Sequence, residues 1–500
     1  MTRSTSISLF IVAVMCSAAC AASTAERPNI LLIVSEDNGQ ELGCYGEPFV
    51  KTPVLDKLAE EGIRFHNAYV PQAGCSQSRA ALLTGLYPHQ NGQIGLASWK
   101  FRMYREDTPN IVRSLKQAGY RTGIIGKLHV NPASAFPFDM KKIPSANFSR
   151  KNLGDYAKHA KEFFDAGDKP FFLSVNYPDA HRPFLTSVKG MPADPLTAED
   201  VKSIAYFGLD TRELRKQTAD YYNCMSRLDS QAGELLAALK TSGKEKETLV
   251  VYMGDHGADM LRGKRTSYEG GVRVPLIVSW AGIVNKGQVN DVLVSTLDLM
   301  PTFLDVAKAE PVDGLTGRTL SPFLKGQAGD RREYLFTEYH THSAHNFYPQ
   351  RTARDKRFKL IHNLMPDEVN PGYEFTRRKF FQELHQVVSM APEPVRSAYE
   401  RMQRPPEYEL YDLQTDPHEF RNLADAAEFA TPFAELKTQL ANWRTRTNDP
   451  LLNQDNLTRL KAEIDACITD DEANKARLNL TYPDYFFTSA PNATTKSNTK

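Results

Sequence analysis

The chain has 500 residues, 41% apolar and 24% charged, which is ordinary for a globular protein with a sizeable core; its length predicts one large domain and a smaller one. A formal net charge of +1 excludes a strong overall field toward nucleic acid or a membrane surface, although an anionic substrate needs only a basic pocket. Six cysteines, two of them close together near the N-terminus (Cys16 and Cys20) and four widely spaced (Cys44, Cys75, Cys224 and Cys467), with no metal-type CxxC pair, do not make a disulfide scaffold.

The chain opens with Arg3, an apolar run around Leu9–Met15 and then small residues. This predicts a signal peptide over residues 1–25 and export to the periplasm or the medium. Ser17-Ala18-Ala19-Cys20 offers a lipid-anchored alternative at Cys20, but the lipobox leucine is missing. No later stretch is apolar enough to be a transmembrane segment.

From Arg27 to Asp37, RPNILLIVSED is apolar on both faces until it ends in acids, the pattern of a buried strand. Val54–Gly62 is amphipathic and stops at glycine, a helix. Ile111–Lys127 reads as helix, glycine stop, strand; Lys169–Phe184 as a strand running into a polar loop. A long helix is predicted over about Thr211–Leu239, then a strand in ETLVVYMGDHG, a strand in VPLIVSW and a helix over Ser295–Ala307. This alternation gives an α/β layered domain over residues 26–330. From 331 to 486, EYLFTEY, RFKLIHNL and YELYDL predict a smaller antiparallel sheet, followed by a helix near Pro432–Trp443. Residues 487–500 are small and polar, a disordered tail.

The polar residues cluster where the strands end: Glu36 and Asp37, Lys127 and His129, Asp179 and His181, Asp255 and His256. If the strands are parallel, all meet on one rim, where open α/β sheets build their sites. Glu36, Asp37 and Asp255, with His256, offer hard ligands suited to calcium or magnesium, or they cap helices and face water. Arg79, Lys127, His129, His181 and Lys264 would together bind a small anion, and the two histidines could move protons near neutrality. Cys75 precedes a helix predicted to start near Ser78. It is either a thiolate favoured by that helix end or a small buried residue beside a Ser76 or Ser78 cap.

Cys75-Ser76-Gln77-Ser78-Arg79 followed by AALLTG resembles the core motif of type I sulfatases, C-x-P-x-R and a helix ending in TG. GYRTGIIGKLHV (119–130) resembles their second motif. The DHG at 255–257 and GKRTSYEGG at 263–271 resemble their later metal and sulfate motifs. The likeness spans about residues 29–450. It implies an alkaline-phosphatase-like α/β sandwich: a large, mostly parallel sheet flanked by helices, and a smaller C-terminal antiparallel sheet with a helix. It implies that a formylglycine-generating or equivalent maturation enzyme oxidises Cys75 to Cα-formylglycine, whose hydrate attacks sulfur and later expels sulfate. A serine would stay trapped as its sulfate ester.

The resemblance also implies one Ca2+ held by Glu36, Asp37, Asp255, His256 and the modified Cys75. Arg79 and Lys127 would hold the nucleophile, His129 would act as base, and His181, with Lys264, would protonate the leaving group and contact sulfate. Three positions depart from the pattern: Gln77 for proline, which bears on maturation, Glu36 for aspartate, and His256 for asparagine. Within the family, LTGLYPHQNGQIGL, FPFD, PDAHR, RFKLIHNL and NWRTRTNDP are similar to the heparan N-sulfatase (sulfamidase) branch, implying sulfated-glycan substrates with N-sulfoglucosamine foremost. Lys264 with Glu269-Gly270-Gly271 has the form found in O-sulfatases. An O-sulfatase is the alternative, and a phosphodiester or phosphonate hydrolase of the same architecture a more distant one. EYHTHSAHNFYPQR (338–351) supplies His340, His342 and Arg351, either as sugar-reading residues or as a surface loop.

Overall fold

The computed structural model describes residues 27–366, 368–468 and 479–487. The predicted signal peptide, the Cys20 alternative and residues 488–500 of the predicted tail lie outside the described residues. No described helix is long and apolar enough to cross a membrane.

Twelve strands are present among the described residues: β1 (Asn29–Ser35), β2 (Ile63–Tyr69), β3 (Arg121–Gly126), β4 (Met140–Lys142), β5 (Phe171–Tyr177), β6 (Thr248–Gly254), β7 (Leu276–Ser279), β8 (Gln288–Ser295), β9 (Leu335–Tyr339), β10 (Gln350–Arg354), β11 (Phe358–Asn363) and β12 (Tyr408–Asp412). The first eight form one sheet in the order β4-β3-β5-β1-β6-β7-β2-β8, and the last four a second in the order β12-β11-β10-β9. In the large sheet β3, β5, β1 and β6 run parallel, side by side, and β7 is reversed. The small sheet is antiparallel throughout. This is the expected two-sheet α/β architecture.

Both faces of the large sheet are covered, which explains why its strands read as unbroken apolar runs. Along β1, Leu31 and Ile33 pack on one side with the helices Asp155–Asp165 and Arg212–Thr241. Ile30, Leu32 and Val34 pack on the other with the helices Ile111–Gln117 and Leu299–Val306. The period-two alternation of a strand sends successive residues to opposite cores.

The small sheet is closed by the helix Ala430–Arg446, whose Leu436, Leu440 and Trp443 pack on Phe336, Ala353, Leu360 and Leu410. Helices between residues 371 and 403 carry no expectation from the sequence. Their Tyr373, Leu384, Val388, Val395 and Tyr399 join the core of the large sheet.

Candidate active site

Because β3, β5, β1 and β6 are parallel neighbours, their carboxyl ends open on one rim. Backbone bonds fix each exit there. Glu36 N–H donates to the Asp179 carbonyl (3.1 Å), Ala180 N–H to that of Glu36 (2.7 Å), and Asp255 N–H to that of Ser35 (2.9 Å). The chains approach so closely that a Cβ on Gly254 would lie 2.0 Å from the Asn38 carbonyl oxygen, and one on Gly126 2.1 Å from that of Asn176. Only glycine fits at these two strand ends. Asp37 then takes a left-handed conformation (φ 49°), and its N–H donates to Asp255 Oδ1 at 2.9 Å.

Cys75 enters the same rim from the loop after β2. The helix starts at Cys75 itself, with Gly74 as its cap, and runs to Thr84. The predicted start near Ser78 is therefore three residues late, and neither Ser76 nor Ser78 caps. Ser76 Oγ instead accepts from Ala97 N–H (2.9 Å), and Ser78 Oγ has no partner among the described residues. Arg79 follows Cys75 by four residues, so both lie on one helix face.

Glu36, Asp37, Asp255 and His256 are fully buried, and Cys75, Arg79, Lys127 and Lys264 nearly so. Arg79 Nε donates to Asp255 Oδ2 (3.1 Å), its Nη1 to the Lys127 carbonyl (3.0 Å) and Asn176 Oδ1 (2.6 Å), and its Nη2 pairs with Glu36. Lys127 Nζ lies 2.7 Å from Glu36 Oε2 and Lys264 Nζ 2.8 Å from Asp37 Oδ1. Cys75 Sγ is 3.4 Å from His256 Nε2 and 3.9 Å from Glu36 Oε2.

Burial alone would raise the Glu36 carboxyl, but Lys127 and Arg79 outweigh it and hold it well below the usual range. Burial would also raise the Cys75 thiol, and Lys127 and Lys264 bring it down to about 6. At Asp255 burial wins, reinforced by the Glu36 charge, and the carboxyl rises to about 7. Burial would lower the His256 imidazole, but Asp255 and Cys75 outweigh it and raise it to about 9.

The donor chemistry is the test of fit for a cation. Ligand atoms of Glu36, Asp37, Cys75 and His181 lie within 4.8 Å of one another, as do those of Cys75, Asp255 and His256. His256 Nδ1–H donates to the Gly257 carbonyl (2.9 Å), which turns Nε2 toward Asp37 and Asp255. A ligating imidazole is oriented in this way. Three carboxylates and one imidazole suit a hard divalent ion. His181, which the sequence analysis did not count among the ligands, stands in the same cluster.

His129 and His181 face this centre from two loops. His129 is left-handed (φ 55°), and its Nδ1 has no partner among the described residues. Burial and then Lys127 keep it well below an ordinary imidazole, so it is neutral. His181 stacks on Phe148, with centroids 3.8 Å apart, and its Nδ1–H donates to the Arg182 carbonyl at 2.6 Å. Burial lowers it too, while Asp37 pulls upward.

The histidine-rich stretch is not one unit. His340 and Arg351 are fully buried and belong to an internal ion network, so the expectation that they read sugar is corrected. Arg351 pairs with Asp449 (2.7 Å) and its Nη2 donates to His340 Nε2 (3.0 Å). Gln350 and Arg351, at the end of the stretch whose alternative reading was a surface loop, lie in strand β10. Of the three residues expected to read sugar, His342 lies within reach of the charges of Lys264 and Arg265, which lower its pKa after burial. Glu269 of the Glu269-Gly270-Gly271 motif is also turned inward, onto Arg354 (2.9 Å) and Lys359 (3.1 Å).

Residues 28–309 match the Sulfatase family, and residues 254–393 match "N-sulphoglucosamine sulphohydrolase, C-terminal". The chain is a sulfatase. It is 34% identical to the human N-sulphoglucosamine sulphohydrolase over 472 residues, covering 85% of this chain and 91% of that protein. Human arylsulfatase A is 30% identical over 91% of this chain and 92% of its own length. A solved 2-O GAG sulfatase superposes with a TM-score of 0.67 at 23% identity, covering 85% of this chain and 93% of that one. The phosphonate monoester hydrolase of Agrobacterium radiobacter does so at 0.64 and 20% identity, covering 84% and 96%. These last two establish the shared alkaline-phosphatase-like fold.

In this sulfatase several site-building residues escaped the sequence analysis. Asn176 supports Arg79. Asp179 is held by Arg150 (2.9 Å) and Arg227 (2.7 Å), whose guanidiniums fix the loop that carries His181. A polar Asn176 inside the apolar run FFLSVNY and an Arg227 on the buried face of a long helix were the available signals.

Proposed function

We propose that this sulfatase releases sulfate from glucosamine N-sulfate groups of heparin-type glycans. The observation that carries the substrate is the match of residues 254–393 to the sulphohydrolase C-terminal family, because that segment supplies Asp255, Lys264 and His342 to the rim. Glu36, Asp37, Asp255 and His256, with residue 75, would hold one calcium ion. Bound there, calcium neutralises sulfate oxygens and acidifies a coordinated hydroxyl. Oxidation of Cys75 to Cα-formylglycine by a maturation enzyme would supply a hydrated aldehyde as nucleophile.

The chain's own residues then divide the work. Arg79 and Lys127 flank residue 75 with fixed positive charge, already oriented by Asp255, Glu36 and Asn176, and this favours charge developing there. Lys264, held cationic by Asp37, would add a further positive charge toward sulfate. Neutral His129 can accept a proton. His181 must carry one to serve the leaving nitrogen, and a bound sulfate would raise its pKa as Asp37 does. Export by the N-terminal signal and a two-part organisation with a boundary near residue 330 belong to the same reading.

The test is desulfation of defined heparin disaccharides. The expected product is a free glucosamine amine with 6-sulfate retained; release of a 6-hydroxyl alone would replace this reading with an O-sulfatase. The peptide containing residue 75 should be about 18 Da lighter than its cysteine form, the thiol-to-aldehyde change. An intact thiol throughout fully active enzyme would exclude the nucleophile.

A further inference from the structure

Two buried glutamines converge on the same pair of carbonyl groups. Gln72 Nε2 donates to Thr341 O at 2.9 Å and to Ile94 O at 3.4 Å. Gln77 Nε2 donates to Thr341 O at 2.6 Å and to Ile94 O at 3.4 Å. Gln77 stands two residues after Cys75 in the first turn of its helix, and Gln72 lies in the loop leading to it. Both are fully buried. Thr341 belongs to the segment that crosses from the small sheet to the rim, between the internal His340 and the rim-facing His342. The next tie is also at this crossing, where Leu96 N–H donates to the His342 carbonyl (2.8 Å). His342 itself is nearly buried, and its Nδ1 has no partner among the described residues.

An unpaired buried ring nitrogen on a segment tied down on both sides leaves a hydrogen-bonding position open to a ligand, since leaving it unpaired is costly. Neither glutamine touches residue 75 Sγ or the carboxylates, so both act through the segment they hold. We infer that Gln72 and Gln77 are positioning residues that seat the 340–343 segment beside the nucleophile turn, so that His342 contacts the sugar carrying the sulfate. The inference rests on the proposed action on glucosamine N-sulfate. It gives Gln77, which stands where proline is usual, a task in substrate selection.

The test uses full-length calcium-loaded Cys75→Ala protein, which binds without turnover, titrated by calorimetry with N-sulfoglucosamine and with inorganic sulfate. Gln72→Met/Gln77→Met removes both donors at similar volume. The expected result is about 10-fold weaker binding of N-sulfoglucosamine with sulfate binding within twofold. His342→Ala should show the same selective loss. In active enzyme, Gln72→Met should raise KM for N-sulfoglucosamine while leaving an aryl sulfate unaffected, at equal conversion of residue 75 by mass. Equal losses for sugar and sulfate would mean that the glutamines hold the whole site, and the inference falls. His342→Ala binding the sugar as tightly as the parent overturns it as well, even if the double variant does not fold. A parent that binds sulfate but not N-sulfoglucosamine defeats the proposed substrate first, and this inference with it.

Discussion

Two buried charge clusters in this molecule use the same residue types to opposite ends. At the strand ends, Glu36, Asp37 and Asp255 face Arg79, Lys127 and Lys264, yet His129 Nδ1 and His342 Nδ1 stay unpaired. Behind β9 and β10, Glu338 and Asp449 face Arg351, Arg444, His89 and His340, and none of the buried side-chain nitrogens and oxygens of these six residues lacks a partner among the described residues. Asp449 takes both Arg351 and Arg444 Nε (2.7 Å), and Glu338 takes the His89 ring and its backbone N–H (2.8 Å). A complete network holds two parts of a chain together. An incomplete one has places left for substrate and metal. The predictions below test that division.

The largest effect should follow removal of the metal. Chelation, or Asp37→Ala, should take turnover to background while unfolding remains cooperative, and calcium should restore the chelated wild type. Unchanged turnover in protein shown by elemental analysis to be metal-free would break the comparison at its functional side. Next, His181→Ala should lose about 10²–10⁴-fold on sugar sulfates and far less on aryl sulfates, whose phenolate leaves without a proton. Equal losses on both would make His181 a sulfate-positioning group and pass the acid role to Lys264.

The strand-end cluster was legible in the sequence because parallel strands put their polar exits on one rim, and because a strand covered on both faces announces itself as an apolar run. Ile30–Val34 and Leu249–Met253 show this. The second cluster was not legible. Its residues come from 89, 338–351 and 444–449, on elements that meet only in the folded chain, and a mostly polar strand such as Gln350–Arg354 lacks the apolar run that marks β1, because its Arg351 and Arg354 are buried in ion pairs. Cys75 was misplaced relative to its helix by three residues because glycine, a weaker cap signal than serine, starts it. Asp179 sat at a strand end like the ligands, but two arginines from distant segments turned it inward.

On the structural side, Asp449→Asn should destabilise the fold by about 3–5 kcal/mol, the usual cost of leaving buried guanidiniums uncompensated, here Arg351 and Arg444. Activity per folded molecule should stay within a few-fold. A large loss of kcat with unchanged denaturant midpoint would show that this network also serves the reaction.

The smallest effect concerns His340 and pH. Arg351 Nη2 donates to Nε2, so the proton sits on Nδ1, toward Gln72 Oε1 at 3.3 Å. A second proton would have to displace Arg351 from Nε2 and place two cations side by side. Burial, then Arg351, accordingly lowers the imidazole to about 3, although Glu338 and Asp449 pull the other way. An unfolded histidine titrates near 6.5, so between about pH 6.5 and 3 the unfolded chain binds one proton that the folded chain refuses. The depressed group therefore contributes stability above pH 6.5 that is lost as pH falls, by about 1.4 kcal/mol per unit. His340→Gln can still accept from Arg351 and donate to Gln72, but it cannot titrate. Its stability should lie within about 1 kcal/mol of wild type at pH 7.5 and improve relative to it at pH 6, 5.5 and 5, read as denaturant midpoints. Parallel midpoints across that range would show that His340 is protonated in the folded state, and that the network behind the small sheet is not closed as drawn.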